Sequence, residues 1–366
     1  MISISTPNSF RHVLSEKWDA LVGSGSPFME HAFLWALERT GCAIASTGWE
    51  PRPILVFNDG ELVAAAATWK KTHSMGEFVY DHGWAQGVER AGLPYYPKLV
   101  VGSPFSPVTG GRLLGDPQWI PTLLQAIQTA AADCTSVHFL FPLEAEASAL
   151  TDLGYFSRLQ YQFHWLNEGY STYDDFLSRF VSKDRNKLRR ERKEVAHLQF
   201  QVTTDPTEAD IDALYAFYSD TTSRYFYGQR YLSREFFQEL RSVWQGRLHT
   251  VIAKDGATAI AGAFNVRKGK RLYGRYWGTL AEVPFLHFEV CYHRAIEYAI
   301  ANGLEAFEPG HGGEHKYRRG FTPTITWSSH RFADPRLQKA FSDWTAKEAA
   351  AVRTQVAELQ LTSKLR

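Results

Sequence analysis

Cysteine is scarce: the 366 residues hold Cys42, Cys134 and Cys291, far apart and odd in number. No CxxC pair is present, which argues against a disulfide framework or a thiolate metal site and for a reducing compartment. Long apolar runs are missing too. No segment approaches the ~18 apolar residues of a membrane-spanning helix. The opening MISISTPNSFRHVL has no apolar leader core, so a cytoplasmic location is the expectation. Charge of one sign is also lacking. The 40 Lys and Arg against 39 Asp and Glu leave a net charge of +1, so attraction to a polyanion has to come from a local patch. What remains is an ordinary globular balance of 44% hydrophobic and 22% charged residues. At ~150 residues per domain, the length suggests two domains.

The chain reads as one pattern written twice. ILVFNDGELVAAAATWKK (54–71) and TVIAKDGATAIAGAFNVRK (250–268) are each an apolar run, Asp-Gly, and a second run of small apolar residues. Asp59-Gly60 and Asp255-Gly256 are expected to supply the positive φ angles of a hairpin turn. Aromatic strand candidates follow, GEFVYDHGW (76–84) and KRLYGRYWG (270–278). Next come helices over 119–134 and 287–303, strands over 136–142 and 304–310, and a Gly-aromatic step (Gly154-Tyr155, Gly320-Phe321) into a last strand. Helical stretches precede each hairpin, the second over 209–226 and 233–244. The predicted order is αα-ββ-β-α-β-α-β, an α/β (α+β) fold of two mixed sheets, each with a central βαβ crossover. The boundaries expected are 1–165 for an N-terminal domain, 166–200 for a basic connecting helix, 201–335 for a C-terminal domain and 336–366 for a C-terminal helix.

That order resembles the GNAT acyltransferase fold, and its tandem use resembles the FemAB-like branch. SKDRNKLRRERKEVAHL (182–198) is similar to the basic segment before that family's second domain. YGRYWG (273–278) resembles its strand before the crossover helix, and FEPGHGGEHKYRRGF (307–321) its Asp-Phe-Gly-Gly…Phe-Lys-x-Gly-Phe signature. SPFSPVTGGRLL and VPFLHFEVCYHRAIEYAI are similar to bacterial peptidoglycan-biosynthesis-like GNAT proteins. The acid of the signature is Glu308 rather than Asp, and its lysine falls on Arg318, with Lys316 two residues earlier. The resemblance implies a transferase that forms an amide or peptide bond between an activated donor, aminoacyl-tRNA in that family, and an amine acceptor such as a cell-wall precursor or small metabolite. Two other readings stand beside it: an acyl-CoA-dependent N-acetyltransferase, and a non-catalytic module that binds tRNA or a peptidoglycan precursor.

Coenzyme A users cradle pyrophosphate on a glycine-rich loop at the start of the crossover helix. Here that loop, TLAEVPFLHFE (279–289), has no glycine. The 307–321 stretch is the richer one. Three of its glycines, Gly310, Gly312 and Gly313, fall within four positions and let backbone approach a ligand or aim N–H groups at an oxyanion. Glu308 or His311 could accept a proton, while Lys316 or Arg319 could hold a carboxylate, a phosphate or the carbonyl oxygen. The spacing His311-x-x-Glu314-His315 mimics a zinc peptidase pattern. That pattern works on a helix, which the glycines oppose, so no metal and no resident cofactor are expected. Lys183, Arg185, Asn186 and Arg189 form a candidate donor-phosphate grip, with Arg185, Arg189 and Arg192 on one helical face; a solvated charged face is the plainer alternative. Asp81, Trp84, Tyr96 and Lys98 are expected to wall an acceptor site in the first domain. Arg275, Trp277, His287 and Glu289 would face substrate in the second.

Overall fold

The computed structural model describes residues 1–224, 230–363 and 365. The chain forms two compact units, Met1–Tyr161 with Ile325–Gln355 and Gln162–Thr324 with Val356–Arg366. It passes from one to the other within strand Phe156–Leu166, returns within Thr322–Phe332, and crosses again in the final helix Pro335–Leu361. The last strand and most of that helix thus count with the first unit, a division that differs from the boundaries read off the sequence.

In the first unit, Ile54–Asn58 and Glu61–Ala66 pair antiparallel around Asp59-Gly60. Both turn residues have positive φ, +50° and +83°, the geometry that suits a right-twisted two-residue hairpin. Thr68–Lys71 continues the second arm and pairs with Lys98–Val101, which runs parallel to Ser136–Leu140. Helix Ile120–Ala130 makes the crossover. It buries Leu123, Leu124, Ala126 and Ile127 on one face against Ile54, Val56, Leu99, Val101 and Phe139.

The second unit repeats the plan. Leu248–Asp255 and Thr258–Lys268 form the hairpin. Arg271–Thr279 pairs antiparallel with it and then parallel with Ala306–Glu308. The crossover helix between those parallel strands is built from Leu286–Phe288, a π-helical turn Glu289–His293, and Arg294–Ala301. Helix Glu208–Ser223 lies directly on the sheet backbone. A Cβ on Gly278 would stand 2.0 Å from the Phe217 carbonyl oxygen, and one on Gly262 would stand 2.5 Å from Leu214.

The predicted order of hairpin, crossover helix and last strand is present in both units, with three local corrections. Segment 76–84 is not a strand: Phe78 and Tyr80 take positive φ (+61° and +54°), and helix His82–Arg90 starts after Asp81. The aromatic content that suggested β structure supplies loop anchors instead, and Lys98–Val101 is the crossover strand. In the second hairpin only Gly256 has positive φ (+57°), while Asp255 ends its strand in ordinary β geometry. The helix expected over 209–226 is Glu208–Ser223; residues 225 and 226 lie outside the described residues.

Candidate functional site

The second unit opens where its parallel pair stops. Arg271, Leu272 and Tyr273 face Ala306, Phe307 and Glu308; beyond them one strand runs on to Thr279 while the other turns away at Pro309. Gly274 permits that turn to pack, since a Cβ there would lie 3.1 Å from Pro309 Cα and from Asn265 Oδ1. The end of a parallel strand beside its crossover helix is where open α/β sheets place ligands.

Glu308 closes the shorter strand and is 5% exposed. Its Oε1 accepts a hydrogen bond from Arg271 Nη1 at 2.8 Å. Among the described residues its Oε2 is buried without a hydrogen-bond donor, 4.0 Å from His164 Nε2. A carboxylate oxygen in that state is costly unless something donates to it, so it marks a place for an N–H or water.

The glycines of the following turn each have positive φ, but they serve different ends. Gly310 packs toward the Gly274 carbonyl, 3.3 Å from where a Cβ would stand. Gly313 makes room for the His315 ring, whose Cε1 lies 2.5 Å from the position of a Cβ. Gly312 alone faces open space.

Lys316, 3% exposed, folds back into this turn. Its Nζ donates to the Gly310 carbonyl at 2.7 Å and to that of His311 at 3.3 Å. Among the described residues it has no carboxylate partner, and burial lowers its pKa to about 8. At neutral pH it is an ammonium with two of three N–H groups engaged, leaving one for a ligand. Burial and then the Lys316 charge push His311 down to about 4. Burial, His315 and Lys316 take His287 to about 3.

Trp277, His287 and His315 form a line of rings, with centroids 4.6 Å and 5.5 Å apart along it. Tyr292 Oη shares a 2.8 Å hydrogen bond with His315 Nε2. Arg319 is fixed by Glu191 Oε2 (2.8 and 3.1 Å) and by the His315 carbonyl (2.8 Å), and its guanidinium covers the Phe288 ring. Glu308, His311, Lys316, Arg319, His287 and Trp277 therefore border one turn and the crossover-helix start, with His315 and Tyr292 among them. Sequence reasoning placed His315 only in a zinc-like spacing and passed over Tyr292. The signal for His315 was a Gly-Gly step ending two residues before it; nothing local in the sequence pointed to Tyr292.

The remaining expected residues are placed elsewhere. Glu289 is buried in an ion cluster, accepting from Arg192 Nε and Nη2 at 3.0 and 2.9 Å, with Arg294 Nε at 2.8 Å. Arg275 lies half-buried beside the Tyr276 ring. On helix Ser182–Glu194, Lys183 and Asn186 are exposed. Arg185 is half-buried and reaches the Ser178 carbonyl at 3.5 Å. Arg189 pairs with Asp174 at 3.2 Å. Arg192 turns inward, so the exposed cationic row differs from the face counted at 3.6 residues per turn. A groove bordered by Asp184, Lys187, Leu188, Glu191, Arg318 and Arg319 joins this helix to the turn, and it brings in Lys187 and Arg318, which sequence reasoning left out of the site.

In the first unit, Lys98 is wholly buried. It bonds Asp81 Oδ2, Glu77 Oε2 (2.8 Å) and Ser74 Oγ (2.9 Å). Tyr95 donates to Asp81 at 2.6 Å, and Tyr96 shares a 2.8 Å bond with Ser74. Trp84 stacks on Phe341 at 4.6 Å. Asp81, Trp84, Tyr96 and Lys98 thus belong to neighbouring parts of a packed interior.

A family model for peptidoglycan biosynthesis/recognition, FemAB-like, matches residues 9–366. No curated protein matches the sequence. Among solved structures, FemX aligns with a TM-score of 0.55 at 12% identity, over 90% of this chain and 99% of its own. L-PGS from Bacillus licheniformis aligns at 0.55 and 12%, over 93% and 95%. The C-terminal domain of a putative lysylphosphatidylglycerol synthetase from Agrobacterium fabrum aligns at 0.53 and 12%, over 90% and 95%. These likenesses establish the fold. No helix among the described residues is long and apolar enough to cross a membrane.

Proposed function

The chain belongs to the FemAB-like family of acyltransferases, and from that premise we propose that it transfers an aminoacyl group from aminoacyl-tRNA to an amine in the cytoplasm, forming an amide. The observation that carries this reading is Lys316, a buried ammonium with no carboxylate partner among the described residues, tied to two carbonyls and with one N–H to give. Aimed at the ester carbonyl under attack, that N–H stabilises the oxyanion in a dry site, where such contacts count most. Glu308 Oε2 receives an N–H of the incoming amine and orients its lone pair. The ester is already activated, so positioning and charge stabilisation supply most of the acceleration.

Lys187 and Arg318, flanking the groove beside Arg319, suit a phosphate of the donor, with Lys183, Arg185, Asn186 and Arg189 extending the contact along the helix. Coenzyme A is a poorer match. The start of the crossover helix has no glycine cradle, and Phe285 stands there with φ +65°. The acceptor is a small-molecule or peptide amine, a cell-wall precursor among the options.

The test is incubation with charged total tRNA, or separately with acyl-CoAs, plus a metabolite extract, read by mass spectrometry. A new amide formed only with charged tRNA is the expected result. Transfer from acyl-CoA alone, or from neither donor, sinks the proposal.

A further inference from the structure

We propose that His315, held in place by Tyr292, is the group that takes the proton from the attacking amine; this rests on the acyl-transfer reading above.

Three separate features fix this side chain. Gly313, with φ +87°, leaves its Cβ position to the imidazole. Arg319 Nη1 donates to the His315 carbonyl at 2.8 Å and anchors the backbone. Tyr292 Oη meets Nε2 at 2.8 Å, and Tyr292 is presented by the π-helical turn Glu289–His293, an irregularity that recurs at functional sites. With Nε2–H donated to Tyr292, Nδ1 carries the lone pair, and the half-buried ring keeps access to the mouth of the turn.

The groups facing the ring are Lys316 and Arg319 from its own turn, and His287 and Tyr292 from the crossover helix. No carboxylate is bonded to it among the described residues. Burial, then Lys316 and Arg319, lower its pKa from 6.5, so it is neutral and able to accept a proton at pH 7. Lys316 cannot take this part while it is an ammonium.

The step balances. The amine nitrogen forms a bond to the ester carbon while the carbonyl π pair moves to oxygen. The N–H proton passes to Nδ1. The carbonyl re-forms, the C–O ester bond breaks, and the leaving ribose hydroxyl takes that proton from the imidazolium.

Two measurements on the full chain test this. Nitrogen-15 NMR of histidine-labelled protein is expected to show His315 neutral at pH 7 with the proton on Nε2; a proton on Nδ1 overturns the assignment whatever the activity. In transfer assays with charged tRNA, wild-type kcat is expected to fall toward low pH. His315→Gln loses about 100-fold or more in kcat, with donor KM little changed and the acid limb gone, and added imidazole restores part of the rate of His315→Ala. Tyr292→Phe keeps KM, loses about tenfold in kcat and moves the limb to lower pH, as expected of a positioning residue whose hydrogen bond favours the imidazolium. Retention of rate and limb by His315→Gln in an active protein overturns the role of His315 alone. Absence of transfer by wild type with any donor removes the acyl-transfer reading and this inference with it.

Discussion

Among the three buried lysines of the described residues, Lys98 in the first unit and Lys316 in the second have opposite surroundings. Lys98 sits between Glu77 and Asp81, and those charges hold its pKa above the ordinary value despite complete burial. Asp81, which also accepts from Tyr95, is held below the usual carboxylate range, while burial pushes Glu77 up to about 7. Among the described residues Lys316 bonds carbonyl oxygens alone, and burial drives it down to about 8. A lysine matched by carboxylates completes a packed interior. One offered only dipoles keeps binding capacity for something that arrives. Lys71 shows that the contrast belongs to local partners rather than to whole units: it too is buried, in the first unit, donating to the Met75 carbonyl at 3.1 Å beneath the Trp49 ring.

The largest effect that tests this contrast is on folding. Lys98→Met strands two buried carboxylates and is expected to cost about 3–5 kcal/mol, measured by denaturant unfolding. Lys316→Met removes a charge that burial already disfavours, so stability at pH 7 should fall by no more than about 1 kcal/mol or rise, while acyl transfer drops by about 100-fold. Similar destabilisation by both substitutions would erase the distinction.

Titration sharpens it. Between pH 8 and 10.5 the unfolded chain keeps a proton on Lys316 that the folded chain has released, so folding stability gains as pH rises through that window. Relative to Lys316→Met, the wild type should gain about 2–3 kcal/mol there. Lys71, lowered to about 7 by burial, titrates in both proteins, and the difference between their curves isolates Lys316.

The glycine turn allows a finer test. Gly312→Ala and Gly313→Ala both place a Cβ at positive φ, at about 1 kcal/mol each. Gly313→Ala also drives its methyl into His315, so it alone should lower the transfer rate. The smallest effect lies in the hairpins. Asp59→Ala should cost about 0.5–1 kcal/mol because of its left-handed φ, and Asp255→Ala close to nothing, by thermal unfolding.

The tandem plan was legible because its carriers are local: Asp-Gly turns, helical spacing of apolar residues, Gly-aromatic steps into strands. Glu308, His311, Lys316 and Arg319 were legible for a related reason, being close in sequence around glycines. What the sequence hid is long-range. Arg192 counts as part of an exposed face until Glu289 and Glu297, about a hundred residues on, draw it inward. Lys98 looks like part of a ligand wall until Asp81, Glu77 and Ser74 take up its three N–H groups. Segment 76–84 misled because aromatic residues favour strands only when the backbone can stay extended, and Phe78 and Tyr80 do not.

The π-helical turn sets the angular phase of the crossover helix. It adds one residue beyond the α-helical count between Glu289 and His293, so everything before it is rotated by about 100° relative to everything after it. Deleting one residue there and restoring regular winding would leave Ala295, Ile296 and Ala299 facing their packed surroundings while swinging Tyr292 off its imidazole partner. A single codon thus separates the helix as structural support from the helix as holder of the His315 ring.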